Sequence, residues 1–173
     1  MEKAIQSGIL LLAFFTIPVK AESAAVVHST VIDAEISLVW DILTKFSRYG
    51  TWNTWIPALE GQPVEGQTVL ASVNMGPFTM NTLHKVTTVI PGEKLCWDDI
   101  SWFTFLVGGS RCRTLTFLNS QQTLLENHFT FSGFFRSPGG YLFHSPVSRG
   151  MVKENRDLKS EAERRSAPTQ ITS

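Results

Sequence analysis

The chain has 173 residues, the size of one ordinary domain. Its 43% apolar and 17% charged residues are enough for a packed core and exclude a disordered chain. Lysine plus arginine number 15 and aspartate plus glutamate 15, so the formal net charge is zero. That balance argues against a nucleic-acid partner, which calls for a basic excess, and no polybasic membrane patch is present.

In chain order, Lys3 precedes an apolar run from Gly8 to Val19, and Val19-Lys20-Ala21 follows. This is a signal-peptide pattern with cleavage expected after Ala21. The run of 12 residues is shorter than the about 20 a membrane-crossing helix needs. No integral span is therefore expected once the leader is removed, an uncleaved anchor being the weaker alternative. The expected location is outside the cytosol: secreted, periplasmic or in a secretory pathway. The expected organisation is a leader over 1–21, one domain over 22–165 and a frayed tail over 166–173.

Val26 to Asp33 alternates and is rich in Val, Ile and Thr, which predicts a strand. Ile36, Val39, Trp40, Leu43 and Phe46 then fall at helical spacing, with Gly50 suited to a stop. Trp52, Trp55 and Ile56 form an apolar segment too broken for a long helix. From Ala58 the character changes. Gly61-Gln62-Pro63, Gly76-Pro77, Pro91-Gly92-Glu93, Gly108-Gly109 and Asn119-Ser120 punctuate short β-rich runs. The predicted strands are Thr68–Asn74, Phe78–Ile90, Lys94–Ser101, Arg111–Leu118 and Thr123–Phe134. Their short connections imply antiparallel hairpins. A last helical stripe comprises Val147, Met151, Asn155, Leu158 and Ala162, with Pro146 starting or kinking it. Lys153, Glu154 and Arg156 are read as lying around the remainder.

The predicted fold is α+β. A curved antiparallel sheet of six to seven strands wraps around a long C-terminal helix, with short helices after the first strand. A sheet of that size must bury one face, and only the long helix can cover it. A hollow between them is expected where side chains do not fill the space.

Several segments resemble one family. Ile32-Asp33-Ala34-Glu35-Ile36-Ser37-Leu38-Val39-Trp40-Asp41-Ile42-Leu43-Thr44, continuing through Phe46-Ser47-Arg48-Tyr49-Gly50-Thr51-Trp52-Asn53, is similar to the opening of the SRPBCC superfamily. That group includes START lipid-transfer domains, polyketide cyclases/dehydrases and the birch-pollen-allergen type. Val86-Thr87-Thr88-Val89-Ile90-Pro91-Gly92-Glu93-Lys94-Leu95-Cys96-Trp97 resembles its strand–turn–strand segment. Phe131-Ser132-Gly133 resembles the end of its last strand, and Gly150 to Lys159 its terminal helix. Two departures stand out. Gly50 replaces a frequent proline, and Phe129 stands where many relatives carry a carboxylate, which makes the pocket more apolar.

The resemblance implies a helix-grip, START-like ligand-binding domain over 22–165. It implies an apolar pocket for a bulky hydrophobic small molecule, polyketide-like or aromatic, whose cyclisation or dehydration the protein assists. The alternatives are a non-catalytic carrier of a lipid, sterol or aromatic metabolite, and a filled core whose surface binds a partner.

Strand alternation nominates the inward side chains. Leu95 and Trp97 carry Asp99 with them, Leu115 and Phe117 carry Arg113, and Val86 carries His84, Thr82 and Met80. The expected pocket residues are Trp40, Trp52, Asn53, Met80, Trp97, Asp99, Phe117, Phe129, Met151 and Asn155, although for any single aromatic core packing is the favoured reading. His84 is the candidate general acid/base, against a hydrogen-bonded core histidine. Arg113 is the candidate for holding a carboxylate or enolate, against an ion pair with Asp98, Asp99 or Glu126. Asn155 in an apolar stripe needs a partner. Glu126 and His128 are expected to face solvent.

No Gly-x-Ser-x-Gly elbow or nucleotide-binding glycine loop occurs, and His28, His84, His128 and His144 lack metal-ligand spacing. No cofactor or metal is expected. A hairpin centred near residue 104 places Cys96 opposite Cys112 and predicts a cross-strand disulfide, which a register slip would forbid. Trp102-Phe103-Thr104-Phe105-Leu106 and Phe134-Phe135 are unusually apolar for turns. They fit a pocket mouth, a lid or a membrane-touching edge, or else packing on the terminal helix.

Overall fold

Alternation of apolar and polar residues between short turns builds the sheet, and its first and last strands meet. The computed structural model describes residues 25–167. The apolar run, the cleavage site after Ala21 and the tail from residue 168 lie outside the described residues. The strands are β1 (Ala25–Ile32), β2 (Ala58–Glu60), β3 (Thr68–Asn74), β4 (Thr79–Ile90), β5 (Lys94–Asp99), β6 (Gly108–Asn119) and β7 (Gln122–Ser132). Helix α1 (Ile36–Thr44) and a 3-10 turn (Phe46–Thr51) follow β1, and helix α2 (Arg136–Ser166) ends the fold.

The seven strands are ordered β1-β7-β6-β5-β4-β3-β2, and every pair is antiparallel. β2 to β7 form a meander. α1 and the 3-10 turn carry the chain from β1 at one edge to β2 at the other. Bulges fall in β4, between Val86 and Thr88, and in β6, between Phe117 and Asn119. Each adds twist and bends its strand, which helps the sheet curve around α2.

Several boundaries differ from the sequence reading. β2 is a three-residue edge strand, too short to show a period. α1 ends at Thr44, and Phe46 enters the core from the 3-10 turn. α2 spans 31 residues and begins at Arg136, so Pro146 lies inside it rather than at its start. Pro138, Gly139 and Gly140 argue locally against a helix, and that cost is overridden here. α2 also runs to Ser166, the first residue of the expected tail.

The stripe Val147, Met151, Leu158 and Ala162 is buried against the inner face. Burying a side chain such as Leu158 contributes about 1.5–3 kcal/mol. Gly150 lets α2 approach closely: a Cβ there would lie 2.1 Å from the Trp55 ring. On β5 and β6, Cys96 and Cys112 are register partners with Cα atoms 4.1 Å apart, joined by a disulfide. Among the described residues, no helix is long and apolar enough to cross a membrane.

Candidate functional site

A cavity of about 320 Å³ lies between the inner face of β3–β7 and the first part of α2. Its wall is mostly apolar. Val73 and Met75 come from β3 and its turn, Phe129 and Phe131 from β7, and Phe143 and Val147 from α2. Leu106 and Val107 of the β5–β6 loop, together with Trp55 and Ile56, complete the enclosure.

The polar part of the wall comes from β4, β5 and β6. Thr82 and His84 alternate with outward residues on β4, and His84 is the register partner of Asp99 on β5. That pairing holds His84 Nδ1 2.6 Å from Asp99 Oδ1. Thr82 Oγ1 sits 2.8 Å from His84 Nε2. The imidazole stacks on Trp97 with ring centres 5.4 Å apart, so the ring is fixed on three sides. His84 is buried, while the Asp99 side chain keeps partial exposure.

Arg111 of β6 also reaches the wall. It belongs to a buried network beneath α2. Its Nη2 pairs with Glu154 Oε2, and its Nε donates to Asn127 Oδ1 at 3.0 Å. Asn127 Nδ2 donates to Asn155 Oδ1 at 3.0 Å, and Asn53 Nδ2 to Glu154 Oε1 at 3.0 Å. Asn53 Oδ1 accepts the backbone N–H groups of Trp55 and Ile56, at 3.1 and 2.7 Å. This fixes the segment that carries Trp55 into the wall, where Arg111 stacks 4.6 Å from the ring centre. Arg113 lies 3.8 Å from the Trp97 ring centre, with Nε 3.9 Å from Glu154 Oε1. Burial, then Arg113, lowers the pKa of Arg111 well below its ordinary value, against the pull of Tyr49 and Asp99. Burial also lowers that of Arg113 and raises that of Tyr49.

Of the residues nominated from sequence, Met80, His84, Trp97, Asp99 and Phe129 line the cavity. Arg113 does not: it is buried beside Trp97, which stands in the wall instead. Asn53 and Asn155 are buried but serve the network, and Trp52 and Met151 fill the core. Trp40 packs half-buried on the core from α1. Phe117 is 59% exposed, because β6 runs past the covered part of the sheet beyond Leu115. Glu126 and His128 face out. Glu154, assigned above to the exposed side of the helix, is buried in the network.

Sequence reading missed Trp55, Arg111, Glu154 and Asn127. Arg111 shared the alternation of Arg113 and Leu115, and Asn127 that of Phe129 and Phe131. Glu154 follows Val147 by seven residues, so it falls on the helical stripe. Its charge placed it outside, though a carboxylate between two arginines is an accepted buried partner.

No family model matches the sequence, and no curated protein matches it. Solved structures do. An aromatase/cyclase from Streptomyces sp. R1128 superposes with a TM-score of 0.72 at 17% identity, over 84% of this chain and 97% of that one. A START superfamily protein from Mycobacterium smegmatis gives 0.66 at 12% identity, over 81% and 97%. Major latex-like protein 151 from Panax ginseng gives 0.64 at 11% identity, over 80% and 96%. Identities this low establish the architecture alone: with its seven antiparallel strands curved around one long terminal helix, the chain has the SRPBCC/START-like helix-grip fold.

Proposed function

We propose that the cavity holds a bulky hydrophobic small molecule, polyketide-like or aromatic, and that His84 assists its cyclisation or dehydration. One observation carries the reading: an otherwise apolar cavity wall presents a histidine whose Nδ1 is 2.6 Å from a carboxylate oxygen. The volume falls at the low end of the roughly 300–1,000 Å³ of small-molecule sites. The aromatase/cyclase name of a structural neighbour is consistent with this chemistry.

The proposed chemistry follows from the tautomer. With its proton on Nδ1, beside the Asp99 carboxylate oxygen 2.6 Å away, the ring leaves the Nε2 lone pair as base. Thr82 Oγ1 occupies the neighbouring hydrogen-bonding position and yields it to substrate. Nε2 removes a proton from a methylene beside a carbonyl, and the C–H electron pair passes into the enolate. The enolate carbon bonds to a second carbonyl carbon, whose oxygen takes the proton back from Nε2–H. In dehydration, the base removes a further α-proton and the hydroxyl leaves as water with a proton from the imidazolium. Arg111 in the same wall stabilises developing negative charge on oxygen. Holding both carbonyl-bearing segments in one cavity supplies proximity.

The open apolar rim around the cavity favours a second reading, a non-catalytic carrier of a lipid, sterol or aromatic metabolite. We also propose that the protein works outside the cytosol, a reading supported by the Cys96–Cys112 disulfide. Native mass spectrometry of protein purified from its own host identifies a retained molecule. Turnover and affinity are then compared in the parent and in His84→Ala. Turnover reduced about 10²–10⁴-fold in His84→Ala at preserved affinity supports the enzyme. Unchanged turnover rejects the role of His84, and retention without any turnover supports the carrier.

A further inference from the structure

The most exposed apolar side chains of the described chain collect at one end of the molecule. Trp102 is 84% exposed and Phe105 66%, on the β5–β6 loop. Phe134 is 81% exposed on the β7–α2 junction, and Tyr141 and Leu142 are 86% and 68% exposed on the first turns of α2. Backbone hydrogen bonds unite two of these segments into one surface, Phe134 N–H to Phe105 O at 2.9 Å and Phe135 N–H to Leu106 O at 2.7 Å. Gly133, at φ +92°, permits this approach, since a Cβ there would lie 2.6 Å from Leu106 O. Such a patch calls for an apolar partner.

We propose that this end of the molecule docks on the surface of a lipid bilayer and admits an apolar ligand to the cavity directly from it. Three observations select lipid. First, the patch is the rim of the cavity, whose wall includes Leu106, Val107 and Phe143 of the same segments. Docking a second copy here would close both cavities, whereas a lipid phase lets an apolar molecule pass without crossing water. Second, Tyr141, Leu142 and Phe143 are consecutive and all exposed. They point about 100° apart around α2, so this stretch stands free on several sides. A fluid phase surrounds such a projection, and a rigid face needs a matching socket. Third, residues 100–110 and 131–143 contain no carboxylate and one cation, Arg136, among Trp, Tyr and Phe. That is the composition of an interfacial aromatic belt. β1 also begins at this end, because Ala25 pairs with Thr130, two residues before β7 ends. With so little charge in the patch, zwitterionic lipid is sufficient. The ligand route rests on the proposed function; the docking itself does not.

The test uses the full chain, phosphatidylcholine vesicles and the same lipid brominated on its acyl chains. Trp40, Trp52, Trp55 and Trp97 are buried or half-buried, so quenching by brominated lipid reads Trp102. We expect quenching in the parent protein and its loss in Trp102→Phe, with flotation on vesicles retained. Replacing Trp102, Phe105 and Tyr141 together by Ser lowers the vesicle partition coefficient at least about a hundredfold, at roughly tenfold per buried aromatic. The triple variant sits on exposed positions, and its unchanged melting temperature checks the fold. Flotation without quenching of Trp102 overturns the proposal and assigns membrane contact to the N-terminal apolar run. Shielding of Trp102 from iodide without lipid, growing with protein concentration, overturns it in favour of a second copy; concentration-independent shielding favours cover by the chain's own N-terminal segment. Binding of N-phenyl-1-naphthylamine in solution tests the cavity separately: its absence rejects the ligand site and leaves the docking result standing.

Discussion

The two ends of α2 meet the same sheet on opposite terms. From Val147 to Ala162 the helix is fastened. Met151 and Leu158 are sealed into the core, and Glu154 and Asn155 enter a buried network with Arg111, Asn127 and Asn53. From Tyr141 to Phe143 its side chains are exposed, and the cavity lies beneath this end. The contrast teaches how a small helix-grip domain keeps both a stable core and an opening. Charge pairing and close packing hold one end of the helix, so the other end is free of a packing role.

Changes at the fastened end should be costly, and changes at the open end should be nearly silent. The largest effect is expected for Glu154→Gln, which leaves Arg111 and Arg113 buried without their shared anion. A loss of about 3–5 kcal/mol in urea unfolding is expected, and a loss below about 1 kcal/mol would break the comparison. A matched pair of leucines sharpens it. Leu158→Ala should cost about 2–5 kcal/mol, and Leu142→Ala should stay within about 0.5 kcal/mol of the parent. Equal losses would mean that the first turns of α2 are packed after all.

The disulfide lies in the sheet, apart from either end of the helix. Cys96 and Cys112 are 16 residues apart, and removing the bond by double substitution to Ser should cost about 3 kcal/mol through loop-closure entropy. Ligand-probe affinity in the folded state should not change, which titration in non-denaturing buffer checks. The smallest effect concerns the far C-terminal turn of α2. Burial pushes the Glu161 carboxyl up, but hydrogen bonds from Arg164 and Arg165 outweigh it and hold its pKa below the ordinary value. Its folded pKa is therefore below its unfolded one. The stabilisation is complete above the unfolded value of about 4.3 and is lost as pH falls through the folded value. Glu161→Gln should lower stability by less than about 1 kcal/mol at neutral pH. That difference should shrink toward zero as acid protonates the parent.

Much of the sheet was legible. β3 runs from Thr68 to Asn74 as read, because turn residues bound a clean alternation on both sides. The β5–β6 register was legible for the same reason, since one hairpin centre fixes every pair. The site was legible only in part. Alternation put His84, Asp99 and Arg113 on the inner face, and all three side chains turn inward. Only His84 and Asp99 reach the cavity, because Trp97 stands in front of Arg113. Phe117 obeyed the alternation and still emerged into solvent, because β6 outruns its cover. Glu154 was placed outside by its charge, and its partners Arg111 and Asn53 lie 43 and 101 residues away in the chain.

By itself, the sequence determined the order of the long elements, the inward face of each long strand and a register that sets the two cysteines opposite one another. These follow from local periodicity and turn chemistry, which act over a few residues. The tertiary structure alone decided where α2 lifts from the sheet, which inward residues line the hollow and which are covered, and which buried charges meet. Those depend on the path of a helix lying against strands up to about a hundred residues distant, and neither alternation nor propensity carries that distance.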